Sequence, residues 1–124
     1  GHGIGFFLNV HEPPQGFAPG NSQRASTPHK AGMVTSNEPG YYKEGEFGIR
    51  IENLVVAVDS KQDGFLEFKT ITLFPIDTSL IDRNLMTENE INWLNDYHRQ
   101  VLEALSPHLD SDHKSWLENK CASI

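Results

Sequence analysis

The sequence predicts an α+β fold, in which a strand-rich first part is followed by a helical extension. Two observations support this prediction. Residues 1 to about 77 are rich in β-branched and aromatic side chains interrupted by Gly and Pro, as in short strands joined by turns. Residues from about 87 to 120 instead place apolar side chains at helical intervals. At 124 residues, the chain is long enough for one modest core.

The first strands are predicted before residue 42. Residues 4–10 are typical of a strand, residues 15–30 form a polar loop containing Pro, Gly and Ser, and residues 32–37 form a short second strand. A turn signal follows at 38–41, because Pro39 presets the first central position and Gly40 accepts a positive φ at the second. The chain is therefore predicted to reverse direction there.

Two further strands are predicted after this turn. Residues 47–51 alternate between apolar and polar side chains, and residues 54–58 run apolar without interruption. Together they predict one strand over 47–58 that enters the core. A last strand over 65–74 follows a turn at Asp63-Gly64.

The helical region opens with Thr87 and Glu90, which stand at the spacing of a capping box. Apolar and amphipathic side chains then recur every three or four positions, which predicts one amphipathic helix. They are Ile91, Leu94, Tyr97, His98, Val101, Leu102 and Leu105. Pro107 is predicted to end or bend this helix, and a shorter helix is predicted over 112–119. We interpret Trp93 and Trp116 as packing residues rather than as components of a cofactor site.

Composition excludes several functions. The formal charge is -7 and the ten Lys and Arg form no basic stripe, so nucleic acid is not an expected partner. A single cysteine, Cys121, excludes an internal disulfide and a Cys-based zinc site. No apolar run approaches the ~20 residues needed to cross a bilayer. The chain opens at Gly1 without an initiator methionine or a signal-peptide pattern, so we expect it to begin in mid-domain, with any targeting signal of the parent protein upstream. The single cysteine fits a reducing compartment, and the cytoplasm is the expected location.

Four positions carry chemistry: His2 between two glycines, His11, Glu38 before the turn, and Glu52 in an apolar strand. Each has an ordinary structural explanation, as a turn histidine or a solvated glutamate. Glu52 shares a predicted strand face with Arg50, so an ion pair between them is one interpretation. The other is a metal site. Two carboxylates brought together repel unless a proton or a cation lies between them, and carboxylates with one imidazole suit Mn²⁺, Co²⁺ or Zn²⁺.

Several segments occur in an order that resembles a known family. They are Gly1-His2-Gly3-Ile4-Gly5, Asn9-Val10-His11-Glu12, Ala31-Gly32-Met33-Val34-Thr35, Asn37-Glu38-Pro39-Gly40-Tyr41-Tyr42 and Phe47-Gly48-Ile49-Arg50-Ile51-Glu52-Asn53. Together they resemble the C-terminal half of the pita-bread metallopeptidases, and within these the Xaa-Pro aminopeptidases. The later segments Leu73-Phe74-Pro75-Ile76 and Leu94-Asn95-Asp96-Tyr97-His98 resemble the end of the catalytic domain and the C-terminal helix of the longer members.

This resemblance implies the fold in more detail. Residues 1–80 would be the C-terminal part of the pita-bread catalytic domain, an antiparallel sheet with helices, and residues 81–124 a helical C-terminal extension. Expected partners are peptides with proline in the second position and a second copy of the full-length protein in a homodimer. The implied reaction releases the N-terminal residue of such peptides.

The resemblance also implies roles for five residues. His2 and Glu38 would ligate one of two divalent metal ions, with Mn²⁺ expected and Zn²⁺ or Co²⁺ as alternatives, and Glu52 would bridge both ions. Glu38 would also act as general base toward the attacking water. His11 would contact the substrate near the scissile bond, and Arg50 would support the hydrogen bonds of the site.

Two departures and one absence qualify the resemblance. Pro13 stands where a glycine is common, and Asn37 stands where an acidic residue often precedes the glutamate. The two aspartate ligands of the family, and a further substrate-contacting histidine, would precede Gly1. The chain by itself is therefore expected to be weak or inert as a catalyst.

Other functions remain open. A prolidase or a methionine aminopeptidase would share the fold and the ligand types, although the tail resemblance argues against both. A non-catalytic interaction module with the same fold is a third interpretation. The sequence upstream of Gly1 would discriminate among them, because an enzyme needs both aspartates.

Overall fold

The computed structural model describes residues 1–7 and 9–124, and its contacts group the chain into two units, 1–72 and 73–124. The first unit contains all the described strands and the second contains two longer helices, so the α+β prediction is confirmed. The elements are α1 (Gln23–Ser26), β1 (Val34–Asn37), β2 (Gly40–Lys43), β3 (Phe47–Arg50), β4 (Asn53–Asp59), β5 (Leu66–Thr70), α2 (Glu88–Leu105) and α3 (Ser111–Lys120). The predicted domain boundary between residues 80 and 81 stays a prediction.

A three-stranded antiparallel sheet forms the centre of the first unit, in the order β1-β4-β5. Its central strand β4 buries Asn53, Val55 and Ala57, and the residues between them are only half-buried. This strand lies between two neighbours, as its uninterrupted apolar run predicts. A separate two-stranded sheet pairs β2 with β3.

The predicted reversal at 38–41 is wrong, and the predicted strand over 47–58 is two strands. The chain turns instead at residues 44–46, where Gly45 has a φ of 72°. β1 and β2 are separated only by Glu38 and Pro39, and β3 and β4 only by Ile51 and Glu52. Proline has no N–H to donate to a ladder, which interrupts regular pairing at this point without reversing the chain.

The pairing register is the same on both sides of this interruption. Asn37 faces Asn53 on one side, and Gly40 faces Arg50 on the other. Continuing either register across the gap places Glu38 opposite Glu52. The four strands therefore form one long antiparallel ribbon with a two-residue gap on each side.

The predicted strand over 4–10 is wrong for its described residues, and Leu8 lies outside them. Gly3 makes single bridges to Glu12 and Thr35, but residues 4–7, 9 and 10 lie in no strand. The segment turns back on itself, since the Gly5 N–H donates to the Asn9 carbonyl at 2.8 Å and Phe7 has a φ of 63°. Local hydrogen bonds thus replace the ladder that the apolar pattern predicts.

The remaining predictions for the first unit hold in outline. Residues 15–30 are a loop, apart from the single helical turn α1, which the sequence analysis missed. The Ser22 hydroxyl caps that turn by accepting from the Ala25 N–H at 3.1 Å. The predicted strand over 65–74 is shorter, covering only β5, and the turn at Asp63-Gly64 is confirmed by the φ of 80° at Gly64.

The second unit confirms the predicted helices. Helix α2 begins after Thr87, whose hydroxyl and backbone N–H both exchange hydrogen bonds with Glu90 in a complete capping box. Such a cap contributes about 1 kcal/mol to helix stability. α2 ends at Leu105, where a 3₁₀ turn containing Pro107 follows, and α3 spans one residue more at each end than predicted. No helix in the described portion of the chain is long and apolar enough to cross a membrane.

The core of the second unit lies between α2 and α3. Its buried residues are Tyr97, Val101, Leu117 and Cys121, with Ile76, Leu102 and Leu105 packed against them. Trp93 stacks on Tyr97 at 5.7 Å between ring centroids, and Trp116 lies 6.2 Å from Phe74, although both indoles remain about half exposed. Both tryptophans contact aromatic rings in this unit, which agrees with the packing interpretation.

His98 is the fully buried histidine of this unit. The Ile76 N–H donates to its Nε2 at 3.1 Å, so Nε2 must be unprotonated, and Nδ1 has no hydrogen-bond partner among the residues that the structure describes. Burial lowers the pKa of His98 below its ordinary value. A charged imidazole would lose the Ile76 hydrogen bond and remain desolvated.

We expect the stability of the chain to fall on mild acidification because of His98. Its pKa is lowered in the folded state, so the unfolded state binds the extra proton, and stability is complete above about pH 6.5, the ordinary value. Stability is lost as pH falls below that value, by at most about 1.4 kcal/mol per pH unit for one proton. Urea unfolding between pH 5 and 8 measures this slope.

The variant that tests this cause is His98→Gln. Glutamine at position 98 can still accept from the Ile76 N–H but cannot take up a proton, so the slope should flatten. An unchanged slope in His98→Gln would show that another group governs the acid sensitivity.

Candidate metal centre

A cavity of about 760 Å³ lies in the first unit, and all five residues singled out in the sequence line it. Its wall combines these polar side chains with apolar ones. The lining consists of His2, His11, Glu38, Arg50, Glu52 and Thr72, with Ile4, Val10 and Leu54. The structure thus brings the predicted site residues together, although 50 positions separate the first from the last.

His2 is buried and is held by its own backbone. Its N–H donates to the Ser36 hydroxyl at 2.9 Å, and its carbonyl accepts from the Ser36 N–H at 2.9 Å. Gly3 then passes so close to Glu12 that an added Cβ would collide with the Glu12 carbonyl oxygen. A glycine after His2 is required by this close approach rather than by turn geometry.

The His2 ring faces Glu38. Its Nε2 lies 3.3 Å from Oε1 of Glu38, and its Nδ1 lies 3.0 Å from the Gly3 carbonyl oxygen. The His11 N–H also approaches Nδ1, at 3.3 Å. These two contacts exclude each other, because the Gly3 carbonyl needs a proton on Nδ1 and the His11 N–H needs a lone pair there. The shorter Gly3 contact favours the proton on Nδ1, and that tautomer leaves the lone pair of Nε2 on the side of the carboxylate.

Glu38 is the most strongly bonded carboxylate of the cavity. Oε1 accepts from the Ser36 hydroxyl at 2.7 Å, and Oε2 accepts from Nη1 of Arg50 at 3.0 Å. The Ser36 hydrogen bond is the largest cause that holds the pKa of Glu38 below its ordinary value, and the charge of Arg50 acts in the same direction. Glu38 is therefore an anion at neutral pH.

Arg50 links the two glutamates of the cavity. Its Nη1 bonds to Glu38, and its Nε lies 3.8 Å from Oε2 of Glu52. The ion pair with Glu52 that the sequence suggested is thus present as a longer contact, and Glu38, which the sequence did not indicate, is the closer partner. The register explains both contacts, because Glu38 and Glu52 occupy facing positions beside Arg50.

His11 lies beside His2 in a strained backbone conformation. Its φ is 61°, in the left-handed region that few residues other than glycine adopt. The centroids of the two imidazoles are 4.3 Å apart, with an angle of 64° between their planes. His11 is exposed where His2 is buried, so its side chain remains accessible to a molecule in the cavity.

The donor chemistry of the cavity fits a divalent metal ion, but the described residues do not complete a site. Imidazole nitrogen and carboxylate oxygen are suitable ligands for Mn²⁺, Co²⁺ or Zn²⁺. His2 and Glu38 lie close enough to share an ion, whereas Glu52 contacts Arg50. Among the described residues, no group of three or more His, Cys, Asp or Glu is placed to hold a metal ion.

Two polar residues of this region were missed in the sequence. Thr72 lines the cavity and accepts from the Leu54 N–H at 2.8 Å. Ser36 contacts both His2 and Glu38. Ser36 could have been found, because it stands two residues before Glu38 and alternate residues of an extended chain share a face.

Comparisons with known proteins agree with the fold. Residues 1–59 match the model of the metallopeptidase family M24, and residues 64–124 match the model of the C-terminal region of peptidase M24. The two models together cover nearly the whole chain. The chain therefore belongs to the metallopeptidase family M24.

The similar proteins within this family are aminopeptidases. The chain is 46% identical over its full length to a probable Xaa-Pro aminopeptidase P of Coprinopsis cinerea, covering 21% of that protein. It is 45% identical over 96% of its length to aminopeptidase P2 of Arabidopsis thaliana, covering 18% of it. The chain thus spans about a fifth of the length of these relatives.

A solved structure is similar to the whole chain. It is the X-prolyl aminopeptidase of Caenorhabditis elegans, described as a cytosolic enzyme with a di-nuclear active site. The match has a TM-score of 0.80 and 42% sequence identity, and it covers 99% of this chain and 21% of that protein. The fold of this chain is therefore that of the C-terminal part of an M24 pita-bread domain.

Proposed function

We propose that the full-length protein containing this chain is a metal-dependent aminopeptidase that removes the N-terminal residue from peptides with proline in the second position. The observation that carries the proposal is the convergence of His2, His11, Glu38, Arg50 and Glu52 on one cavity. The identity of 42–46% to Xaa-Pro aminopeptidases over the whole chain supports the substrate class.

The proposed cofactor is a pair of divalent metal ions, with Mn²⁺ as the expected metal and Zn²⁺ or Co²⁺ as alternatives. His2 and Glu38 would hold one ion, and Glu52 would bridge both. Such ions, when bound, supply a nucleophilic water at neutral pH and stabilise negative charge on the scissile carbonyl oxygen. The remaining ligands would come from the rest of the polypeptide.

Three residues of the chain would then have separate roles in the reaction. Glu38, ionised and fixed by hydrogen bonds, would accept the proton of the attacking water. Arg50 would hold Glu38 and balance the negative charge of the two carboxylates. The exposed imidazole of His11 would donate a hydrogen bond to the substrate near the scissile bond.

The setting of the enzyme is also proposed. The relative of known structure is described as cytosolic, and we propose the cytoplasm for the parent protein. We also propose that the full-length protein forms a homodimer. We propose that the chain divides into a catalytic segment, residues 1–80, and a helical extension, residues 81–124.

Peptide hydrolysis by the purified full-length protein tests this function. We expect tripeptides and longer peptides with proline second to release their first residue, matched peptides with alanine second to be poor substrates, and EDTA to abolish the activity. Cleavage restricted to Xaa-Pro dipeptides would indicate a prolidase, and cleavage restricted to N-terminal methionine a methionine aminopeptidase. A protein that binds metal but cleaves none of these peptides would be a non-catalytic module.

A further inference from the structure

Ser36 lies between His2 and Glu38 and bonds to both. Its hydroxyl oxygen accepts from the His2 N–H at 2.9 Å and lies 2.7 Å from Oε1 of Glu38. His2 and Glu38 are far apart in the sequence, and a single side chain joins them. The hydroxyl is therefore placed to influence both residues at once.

The hydroxyl has one proton, and the distances indicate where it goes. Two acceptors are in reach, Oε1 of Glu38 at 2.7 Å and the His2 carbonyl oxygen at 3.3 Å. The shorter contact is to the charged acceptor, which forms the stronger hydrogen bond. The His2 carbonyl is already bonded to the Ser36 N–H. Ser36 therefore donates to Glu38 while it accepts from His2.

The position of Ser36 makes this arrangement rigid. The residue is fully buried in β1, and its strand is paired with β4 through Ser36 and Leu54. Its neighbour Thr35, equally buried, points to the other face, where its hydroxyl bonds to Nε2 of His29 at 3.1 Å. The strand thus offers two buried hydroxyls in succession, and only the hydroxyl of Ser36 contacts the cavity residues.

We propose that Ser36 is a positioning residue, whose hydroxyl fixes the carboxylate of Glu38 against the imidazole of His2 so that both can bind the same metal ion. This rests on the proposed function of His2 and Glu38 as ligands. Among the described residues, the hydrogen bond that would still hold the Glu38 carboxylate without the hydroxyl is the one from the more exposed Arg50 to the other oxygen. The carboxylate would then sample rotamers in which Oε1 no longer faces His2.

Titration of the metal-free full-length protein with Mn²⁺, followed by calorimetry, tests the proposal in Ser36→Ala, Ser36→Thr and Thr35→Val. Loss of an outer hydrogen-bond partner of a ligand typically weakens metal affinity by about 10–100-fold, and we expect this for Ser36→Ala. Ser36→Thr keeps a hydroxyl and should remain within about threefold of the original affinity. Thr35→Val removes an equally buried hydroxyl that faces away from the cavity, and it should also bind Mn²⁺ normally.

The visible absorption of the Co²⁺-loaded proteins provides a second readout that does not depend on turnover. We expect Ser36→Ala to alter the Co²⁺ bands and Thr35→Val to leave them unchanged, because only the first disturbs the geometry of a ligand. Unchanged Mn²⁺ affinity and Co²⁺ bands in Ser36→Ala would overturn the proposal. Equal weakening in Ser36→Ala and Thr35→Val would do the same, since the effect would then come from the loss of a buried hydroxyl at either position.

Glu38→Gln separates this proposal from the proposed function. If Glu38→Gln leaves Mn²⁺ binding intact, Glu38 is not a ligand, and both the ligand assignment and the role of Ser36 fail. If Glu38→Gln weakens binding while Ser36→Ala does not, the ligand assignment stands and only the role of Ser36 fails.

Discussion

Glu52→Gln in the full-length protein is expected to lower metal occupancy and peptidase activity together, by roughly 10²-fold or more. The substitution keeps the size and shape of the side chain but removes the negative charge that allows one carboxylate to serve two cations. Metal analysis and kcat/KM for an Xaa-Pro peptide on the same preparation measure both effects. The melting temperature of the metal-free protein should change little, because Glu52 is partly exposed and lies 3.8 Å from Arg50, its charged partner among the described residues.

The alternative interpretation of Glu52 predicts a different result. If it serves only as an ion-pair partner of Arg50, the metal content should stay complete and the metal-free protein should lose at most about 1 kcal/mol. Glu46→Gln is the matched control, because Glu46 forms an exposed ion pair with Lys43 at 2.7 Å in the same ribbon. Complete metal content in Glu52→Gln, with a destabilisation like that of Glu46→Gln, would refute the bridging role.

His11→Ala in the full-length protein is expected to lower kcat by roughly 10² or more while metal content stays near normal. In the proposed function His11 would contribute a positioned imidazole toward the substrate, whereas His2 faces Glu38. Steady-state kinetics together with metal analysis check this expectation.

The backbone of His11 calls for a second variant. Alanine keeps the Cβ that strains a φ of 61° and adopts this conformation less often than histidine or asparagine, so His11→Ala also destabilises the loop. Asparagine tolerates this conformation better, and His11→Asn should show the same loss of kcat with less loss of stability. Loss of metal from His11→Asn would make His11 a ligand, and near-normal kcat in this variant would assign the alanine effect to the strained backbone.

The sequence predicts the elements of this fold that depend on local signals. The capping box at Thr87, the turn at Gly64 and the strand β1 are all found where the pattern predicts them. The reversal at Pro39 is wrong because Pro-Gly satisfies a turn locally, whereas the pairing of β1 with β4 and of β2 with β3 requires an extended chain there. Cross-strand pairing decided the outcome, and that information is spread over both strands.

The candidate site was likewise predictable only where its residues did not depend on cross-strand pairing. The convergence of His2, Glu38 and Glu52 was expected from the resemblance, and the cavity contains all three. The bond between Arg50 and Glu38 was not expected, because it depends on which residues face each other across the ribbon. The tautomer of His2 likewise depends on the Gly3 carbonyl, and no sequence pattern reports that contact.

Because β1–β4 and β2–β3 pair in the same register, the bend that joins β2 to β3 affects the alignment of Glu38 with Glu52. The three residues between Lys43 and Phe47 form the bend. Each later pair of the ribbon follows in sequence from the pair Lys43–Phe47, and the same register places Glu38 opposite Glu52. A tip shortened by one residue would either close the same pair through a two-residue turn or let one strand slip along the other. After a slip of one position, Glu38 would face Ile51 or Asn53, and the two acidic side chains would point to opposite faces. The register that the bend sets is thus a condition for the alignment of the two glutamates, so a change at the surface that makes one strand slip could disable the proposed metal centre without touching it.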